Sequence, residues 1–221
     1  MAIKTTAKKK AKTTSKSAIK KDKLPEKLVK YLEQAGVNHQ ILEHKTVYTA
    51  IDAAATLKKK MGEIVKSLLV KADKDYYLVL LPADHNLDFK KLSSVIGKKN
   101  KKDVKVIKIP GEEIMRDLLK IKKGTLSAFG SMHNLPIIAE KNLTKLKKAV
   151  FPSGSFNHSV EMAVKDFLKA ENVDLAAFGV KRKIKIPKVV KKTVKKIVKQ
   201  VTKNTKLKTQ KSKSIKSKKK K

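Results

Sequence analysis

The segment GEIVKSLLVKADKDYYLVLLPA, residues 62–83, decides the fold class. Its two apolar runs are rich in Val, Leu and Tyr and are separated by the polar residues Asp73–Asp75, so they predict two strands joined by a turn. Lys66 interrupts the first run. Burying an isolated ammonium is costly enough that the group usually loses its proton or binds an anion. Lys66 is therefore the first candidate for a functional side chain.

Helices and further short strands flank these two strands. The spacing predicts a helix in LPEKLVKYLEQAG that ends at Gly36, a helix in TAIDAAATL capped by Thr49, and a helix in LDFKKLSSVIG closed by Gly97. Two further helices are predicted in GEEIMRDLL and VKDFLKA, and short strands in VNHQILEH, VKVIKI, LPIIAE, AVFPSGS and HSVEM. The chain lacks a regular βαβ repeat, a G-x-G-x-x-G motif and a P-loop. A mixed α/β domain over residues 24–180 is expected.

Positive charge is concentrated at the two ends of the chain. Residues 1–23 carry nine lysines and one acid, and residues 181–221 carry twenty Lys or Arg and no acid. We expect 1–23 to be a disordered Lys-rich arm, and 181–221 to be a Lys-rich tail with a basic amphipathic helix at 186–201. Such lysines bind phosphate without regard to sequence, so tRNA, other RNA or DNA are the expected partners. The candidate nucleic-acid-binding residues are Lys8, Lys9, Lys10, Lys191, Lys192, Lys195 and Lys196.

Several classes of protein and site are disfavoured. The chain has no cysteine, so it has no disulfide and no thiolate ligand or nucleophile. His39 and His44 have no acid or cysteine at metal-binding spacing, so no metal site and no cofactor are expected. No apolar run reaches the ~20 residues of a membrane-spanning helix. We expect a cytoplasmic protein, with an organelle transit peptide at residues 1–21 as a weaker interpretation.

Three segments resemble a known family in order and spacing. Residues 47–97, VYTAIDAAATLKKKMGEIVKSLLVKADKDYYLVLLPADHNLDFKKLSSVIG, are similar to the front half of a YbaK/ProX domain, the aminoacyl-tRNA deacylase fold. KGTLSAFGSMHNLPIIAEKNL and AVFPSGSFNHSVEMAVKDFLKA are similar to its back half. The resemblance implies a barrel-like mixed β-sheet flanked by helices. It also implies hydrolysis of the ester between a wrong amino acid and its tRNA, without a cofactor.

The resemblance also implies a set of site residues. Lys66 matches the family's pocket lysine, and Gly124 begins the pocket loop GTLSA, in which Ala128 replaces the family's proline. These two are the expected catalytic residues. A cation at Lys66 would stabilise the oxyanion that forms during ester attack. The expected substrate-binding residues are Tyr48, Thr49, Ser67, Ser127, Phe129, Gly130, Ser153, Gly154 and His158.

Each of these residues also has a structural interpretation. Lys66 would reach water along its alkyl stem, Gly124 would serve a turn, Thr49 would only cap a helix and His158 would be a polar residue at a strand end. The leading hypothesis is a trans-editing deacylase whose tails hold tRNA. The alternative is a histone-like nucleic-acid-binding protein built on a non-catalytic domain. The sequence specifies neither the amino acid removed nor an oligomeric state.

Overall fold

The computed structural model describes residues 23–182. The helices are α1 (Glu26–Ala35), α2 (Ala50–Thr56), α3 (Phe89–Asn100), α4 (Glu112–Leu119) and α5 (Val164–Ala170). The strands are β1 (His39–Glu43), β2 (Val65–Ala72), β3 (Asp75–Pro82), β4 (His85–Leu87), β5 (Ile107–Lys108), β6 (Ile137–Glu140), β7 (Lys148–Pro152), β8 (His158–Ala163), β9 (Asp174–Ala176) and β10 (Gly179–Lys181). The predicted arm up to residue 22, the helix predicted at 186–201 and all seven nucleic-acid-binding candidates lie outside the described residues.

The predicted hairpin forms the centre of the larger sheet. β2 and β3 pair antiparallel, with Lys66 opposite Leu81 and Ala72 opposite Asp75. The five-stranded order is β5-β2-β3-β6-β9, in which β3, β6 and β9 run parallel. This mixture of helices with antiparallel and parallel strands confirms the predicted mixed α/β class.

A second sheet lies beside the first. It has the order β1-β8-β7 with antiparallel pairing, and a single bridge between Ile64 and Val150 connects it to the start of β2. β4 and β10 form a separate two-stranded pair. The start of β2, where Lys66 lies, is thus held next to β7.

Alternation along β2 places its side chains in two different parts of the core. Val65 and Leu69 pack in one cluster with Phe151, whereas Val70 and Ala72 pack in another against Phe178. A third cluster lies where α2 covers the β1-β8-β7 sheet, and it contains Ala53, Ala54, Ile64, Ala83 and Val150. Burial of one large aliphatic side chain contributes about 1.5–3 kcal/mol, so the three clusters fix how the two sheets are placed.

The helix termini agree with the sequence signals except at Gly97. The Thr49 hydroxyl accepts from the Asp52 N–H, and Gly36 is left-handed after α1, as expected. Helix α3 does not close at Gly97 but continues to Asn100, and the left-handed residue is Lys101. Gly97 instead allows the chain to turn back, because a Cβ there would lie 3.1 Å from the Lys102 carbonyl oxygen.

Two further differences concern strands. The strand predicted in VKVIKI is only two residues long, and β4, β9 and β10 were not predicted. All three added strands are three residues long, which is too short to establish a hydrophobic period.

Candidate functional site

A cavity of about 270 Å³ lies between α2, β2, β7 and β8. Six of the predicted site residues line it: Tyr48, Thr49, Lys66, Ser67, Gly124 and His158. The rest of its wall is mainly apolar, with Ala53, Val65, Leu69, Leu126 and Val150 among the lining residues. Apolar walls with a few convergent polar groups are the usual composition of a small-molecule site.

Lys66 is a lining residue of the cavity near the start of β2, and its side chain extends towards the start of β4. Its ammonium donates a hydrogen bond to the backbone carbonyl of His85 at the start of β4. A carbonyl oxygen can only accept, so this contact orients the ammonium. The His85 ring lies 2.8 Å from an Asp84 carboxylate oxygen, through Nδ1, which helps to fix the segment that presents this carbonyl.

Ser67 projects to the opposite face of β2 from Lys66, as strand alternation requires. It lines the cavity, and its buried hydroxyl has no hydrogen-bonding partner within residues 23–182. A buried hydroxyl without a partner costs free energy, so a ligand that bonds to it would recover that cost. Ser67 is therefore placed to contact whatever occupies the cavity.

Gly124 begins the loop that forms another wall. Its φ of +80° lies in the left-handed region that glycine adopts at little cost. A Cβ at this position would lie 3.1 Å from Cε1 of Phe156, which also lines the cavity. Glycine is thus required by the backbone and by the close approach of the Phe156 ring.

Ala128 occupies the loop position where the resembled family has proline. It is fully buried, and its backbone N–H donates to the Pro152 carbonyl at 3.0 Å. A proline has no N–H and could not make this bond. The loop is therefore anchored to β7 by a hydrogen bond in place of a fixed proline ring.

Tyr48 and Thr49 stand at the beginning of α2. The Thr49 hydroxyl accepts from the Asp52 N–H and donates to the Asp52 carboxylate at 2.8 Å, so its capping role is established while it also lines the cavity. Tyr48 is 70% exposed, and its ring contacts that of Phe156. This aromatic pair borders the cavity on its solvent side.

His158 lies at the start of β8. Its Nδ1 is 3.1 Å from the Ser155 hydroxyl, and both residues line the cavity. The imidazole is half-buried, so it combines a strand-end position with a place in the cavity wall.

Ser127, Ser153 and Gly154 line a second cavity, of about 560 Å³, and are absent from the lining of the first. The Ser127 hydroxyl donates to the Pro152 carbonyl, and the Ser153 hydroxyl donates to the His158 carbonyl at 2.6 Å. These bonds hold the loop and the β7-β8 connection together. The three predicted residues thus lie behind the wall that carries Gly124 and His158.

His133 also lines the second cavity. Burial lowers the pKa of this imidazole, and the positive charge of Lys27 lowers it further. Both causes favour the neutral ring, which fits a partly enclosed position beside a cation.

Phe129 and Gly130 are core residues. Phe129 is 1% exposed and packs edge-on against Tyr31 and Phe167. A Cβ at Gly130 would lie 2.6 Å from Ile137 Cγ1, so glycine is needed there for close packing. The structure places both residues in the packed interior, in neither cavity wall, because the loop turns inward after Ala128.

Phe156 and Ser159 line the cavity but were not predicted as site residues from the sequence. His44 is not among the lining residues, and it contacts Ser159 from outside the cavity. The Ser159 hydroxyl lies 2.9 Å from Nε2 of His44. Phe156 and Ser159 both belong to AVFPSGSFNHSVEMAVKDFLKA, one of the segments that carry the family resemblance. Which of its residues face the cavity depends on the course of the β7-β8 connection and on the pairing of β8.

No group of three or more His, Asp or Glu side chains within residues 23–182 could hold a metal ion. In the same part of the chain, no helix is long and apolar enough to cross a membrane.

A family model described as an aminoacyl-tRNA editing domain matches residues 44–170. Its first residue is His44 and its last is Ala170, so it spans both halves of the resemblance stated above. The match covers more than half of the chain and includes every residue that lines the first cavity.

Two curated relatives agree with this match. The prolyl-tRNA editing protein ProX of Acetoanaerobium sticklandii is 27% identical over 118 residues, which cover 51% of this chain and 68% of the relative. The proline–tRNA ligase of Staphylococcus saprophyticus is 31% identical over 99 residues, which cover 42% of this chain and only 16% of the ligase.

A solved structure shares the fold. It is described as a candidate trans-editing enzyme for prolyl-tRNA synthetase, and it superposes with a TM-score of 0.61 at 22% sequence identity. The superposition covers 72% of this chain and 99% of the other. This chain and that solved structure therefore share the same fold.

Proposed function

The chain belongs to the aminoacyl-tRNA editing domain family, and we propose that it hydrolyses the ester bond of mischarged aminoacyl-tRNA as a trans-editing deacylase. The observation that carries this proposal is the position of Lys66, Gly124 and His158 around one small apolar cavity. Prolyl-tRNA editing is the activity named for the ProX relative, which supports the same class of substrate here.

The size of the cavity supports an aminoacyl group as its occupant. Its volume of about 270 Å³ is just below the range of roughly 300–1,000 Å³ for small-molecule pockets. An aminoacyl group would fit in it, and the terminal adenosine of the tRNA would then remain outside. Tyr48 and Phe156 border the cavity there and offer an aromatic surface for the adenine base.

The proposed reaction needs water as the nucleophile. The water oxygen bonds to the ester carbonyl carbon, and the bond from that carbon to the ribose oxygen then breaks. The ribose oxygen takes up a proton, and the free amino acid and the uncharged tRNA leave. The ester is already activated, so no covalent intermediate on the protein is required.

Lys66 supplies the electrostatic part of catalysis in this proposal. Negative charge develops on the carbonyl oxygen during attack, and a cation oriented in advance stabilises it without reorganising. The bond to the His85 carbonyl holds the ammonium in one direction. Gly124 contributes through its backbone. Because it has no side chain, the loop can lie close to the cavity at this position.

The two basic ends complete the proposal. We assign residues 24–180 to the deacylase domain, and residues 1–23 and 181–221 to arms that bind tRNA or other RNA without sequence preference. Twenty-nine Lys or Arg in these two segments would attract a polyanion and increase its association rate. The amino acid would be chosen in the cavity and not by the arms.

The test is the rate of deacylation of Ala-tRNA(Pro) and Cys-tRNA(Pro) by the full chain and by Lys66→Met. Loss of one oriented charge at the oxyanion is expected to lower kcat by about 10²–10³-fold. Lys71→Met is the matched control, because Lys71 lies on the same strand, contacts the Tyr76 ring and does not line the cavity. This control should retain the rate of the unmodified chain.

Two results would contradict the proposal. Equal loss of activity in both variants would show that Lys66 has no special role. Absence of hydrolysis with any mischarged tRNA, with tRNA binding retained, would support the non-catalytic nucleic-acid-binding alternative.

A further inference from the structure

Ser159 is a cavity residue to which the proposed mechanism gives no role. It lies on β8 and is 6% exposed, and its partner across the β7-β8 pair is Pro152. Residues paired across an antiparallel ladder lie on the same face. Pro152 and Ser159 both line the cavity, and so does Val150, two residues from Pro152 on the same face. The Ser159 hydroxyl is therefore in the cavity wall, where β8 passes under α2.

A buried histidine fixes the hydrogen-bonding state of this hydroxyl. His44 Nδ1 lies 2.9 Å from the Lys45 carbonyl oxygen, and His44 Nε2 lies 2.9 Å from Ser159 Oγ. A carbonyl oxygen can only accept, so Nδ1 must carry the proton. In the neutral ring Nε2 is then an acceptor, and the hydroxyl must donate to it.

Ser159 has a single hydroxyl proton, and it is used in the hydrogen bond to His44 Nε2. What the oxygen can offer to the cavity is therefore a lone pair, so Ser159 acts there as an acceptor. An acceptor in an apolar wall favours ligands that bring a donor, and a cationic donor makes a bond about twice as strong as a neutral one.

We propose that Ser159 Oγ accepts a hydrogen bond from the α-ammonium of the aminoacyl group, and that His44 is the positioning residue that keeps this oxygen an acceptor. The inference rests on the proposed function, since the α-ammonium is the one cationic donor common to all aminoacyl esters. It also gives the cavity a means to select aminoacyl over other acyl groups attached to the same ribose.

The experiment uses two non-hydrolysable probes of equal shape. They are 3′-deoxy-3′-(L-alanylamino)adenosine and its 2-methylpropanoylamino counterpart, in which a methyl group replaces the ammonium. Affinities of the full-length protein for both probes are measured by calorimetry. We expect the ammonium probe to bind at least about tenfold more tightly, as for a hydrogen bond to a charged group.

Three variants separate positioning from simple packing. Ser159→Ala should reduce the preference for the ammonium probe to within about twofold. Ser159→Thr keeps the hydroxyl on a β-branched side chain that strands tolerate, so it should restore the preference. His44→Leu releases the Ser159 proton towards the cavity and should reduce the preference while affinity for the methyl probe persists.

An equal preference in the unmodified protein and in Ser159→Ala would overturn the inference, and so would failure of both probes to bind. Because the readout is binding, it is independent of hydrolysis. A chain that binds the ammonium probe selectively but hydrolyses no mischarged tRNA would refute the proposed function alone.

Discussion

The rings of Tyr48 and Phe156 lie 5.1 Å apart, centroid to centroid, with 56° between their planes. Tyr48 is largely exposed and both residues line the cavity, so the pair extends the cavity wall into solvent. A nucleobase attached to an occupant of the cavity would meet this surface first.

Tyr48→Ala is expected to weaken tRNA binding more than it slows the chemical step. Stacking of a base on an aromatic side chain contributes about 1–3 kcal/mol, so KM should rise roughly 5- to 150-fold. Steady-state deacylation kinetics measure this, with Tyr48→Phe retaining the ring. Ile51→Ala is the control, since Ile51 is an exposed apolar residue of α2, close to Tyr48 in the chain, and does not line the cavity. A change in kcat alone would argue against stacking.

Gly124→Ala is expected to reduce both stability and activity. The new Cβ meets the Phe156 ring at 3.1 Å, and the left-handed backbone adds strain of roughly 1–2 kcal/mol. Gly36→Ala has a similar φ of +59° with nothing within 4 Å of the new Cβ, so it isolates the backbone cost. Denaturant unfolding should show the larger loss in Gly124→Ala, because the contact with Phe156 adds to the backbone cost, and deacylation should fall only in Gly124→Ala. Equal deacylation activity in Gly124→Ala and Gly36→Ala would show that Gly124 has no role in the site.

His133 is expected to make stability depend on pH. Its pKa is lowered from 6.5 in the folded protein, by burial first and then by Lys27. As the pH falls below 6.5, the unfolded chain binds the proton before the folded one does, so the free energy of unfolding decreases. The free energy of unfolding changes by less than about 1.4 kcal/mol per pH unit, because only one proton is bound. Partial solvation of the ring reduces the effect further.

Urea unfolding at several pH values on both sides of this pKa tests the His133 prediction. His133→Gln should flatten the pH dependence, and Lys27→Met should weaken it, because removing the neighbouring charge brings the folded-state pKa of His133 closer to its unfolded value. Lys30→Met removes a charge from the same helix without that effect and serves as the control. An unchanged profile in His133→Gln would contradict the prediction.

Removal of residues 1–22 and 183–221 is expected to weaken the association with tRNA without altering the cavity. The cut preserves β10, which ends at Lys181 and pairs with β4. It should lower kcat/KM at low salt and flatten its dependence on salt, because fewer counter-ions are released. Lys→Gln changes at Lys191, Lys192, Lys195 and Lys196 keep the chain length and should give a partial effect. An unchanged kcat/KM at low salt would show that the ends do not assist the reaction.

The sequence predicted the features that depend on residues close together in the chain. The hairpin of β2 and β3 follows from two apolar runs with a polar turn, and the Thr49 cap follows from one hydroxyl preceding a helix. Lys66 was also identified from its immediate neighbours, because a lysine within an apolar strand is conspicuous. Local signals were sufficient wherever the interaction itself is local.

The tertiary structure decided which residues share a cavity. Ser127, Ser153 and Gly154 lie on the second cavity, whereas Ser159 and Phe156, a few residues away, face the first. Ser153, Gly154 and Phe156 lie in the connection between β7 and β8, and Ser159 lies on β8 itself. The placement of β8 depends on its pairing with β7 and with β1, and β1 is more than a hundred residues away in the chain.

The pairing of His44 with Ser159 shows the same division. The two residues are 115 positions apart, and neither was predicted as a site residue from the sequence. They meet because β1 pairs with β8 in one register, with Glu43 opposite His158. The sequence by itself thus determined the elements and the presence of a cation in a strand. Only folding determined which polar atoms meet in the cavity, because long-range strand register carries that information.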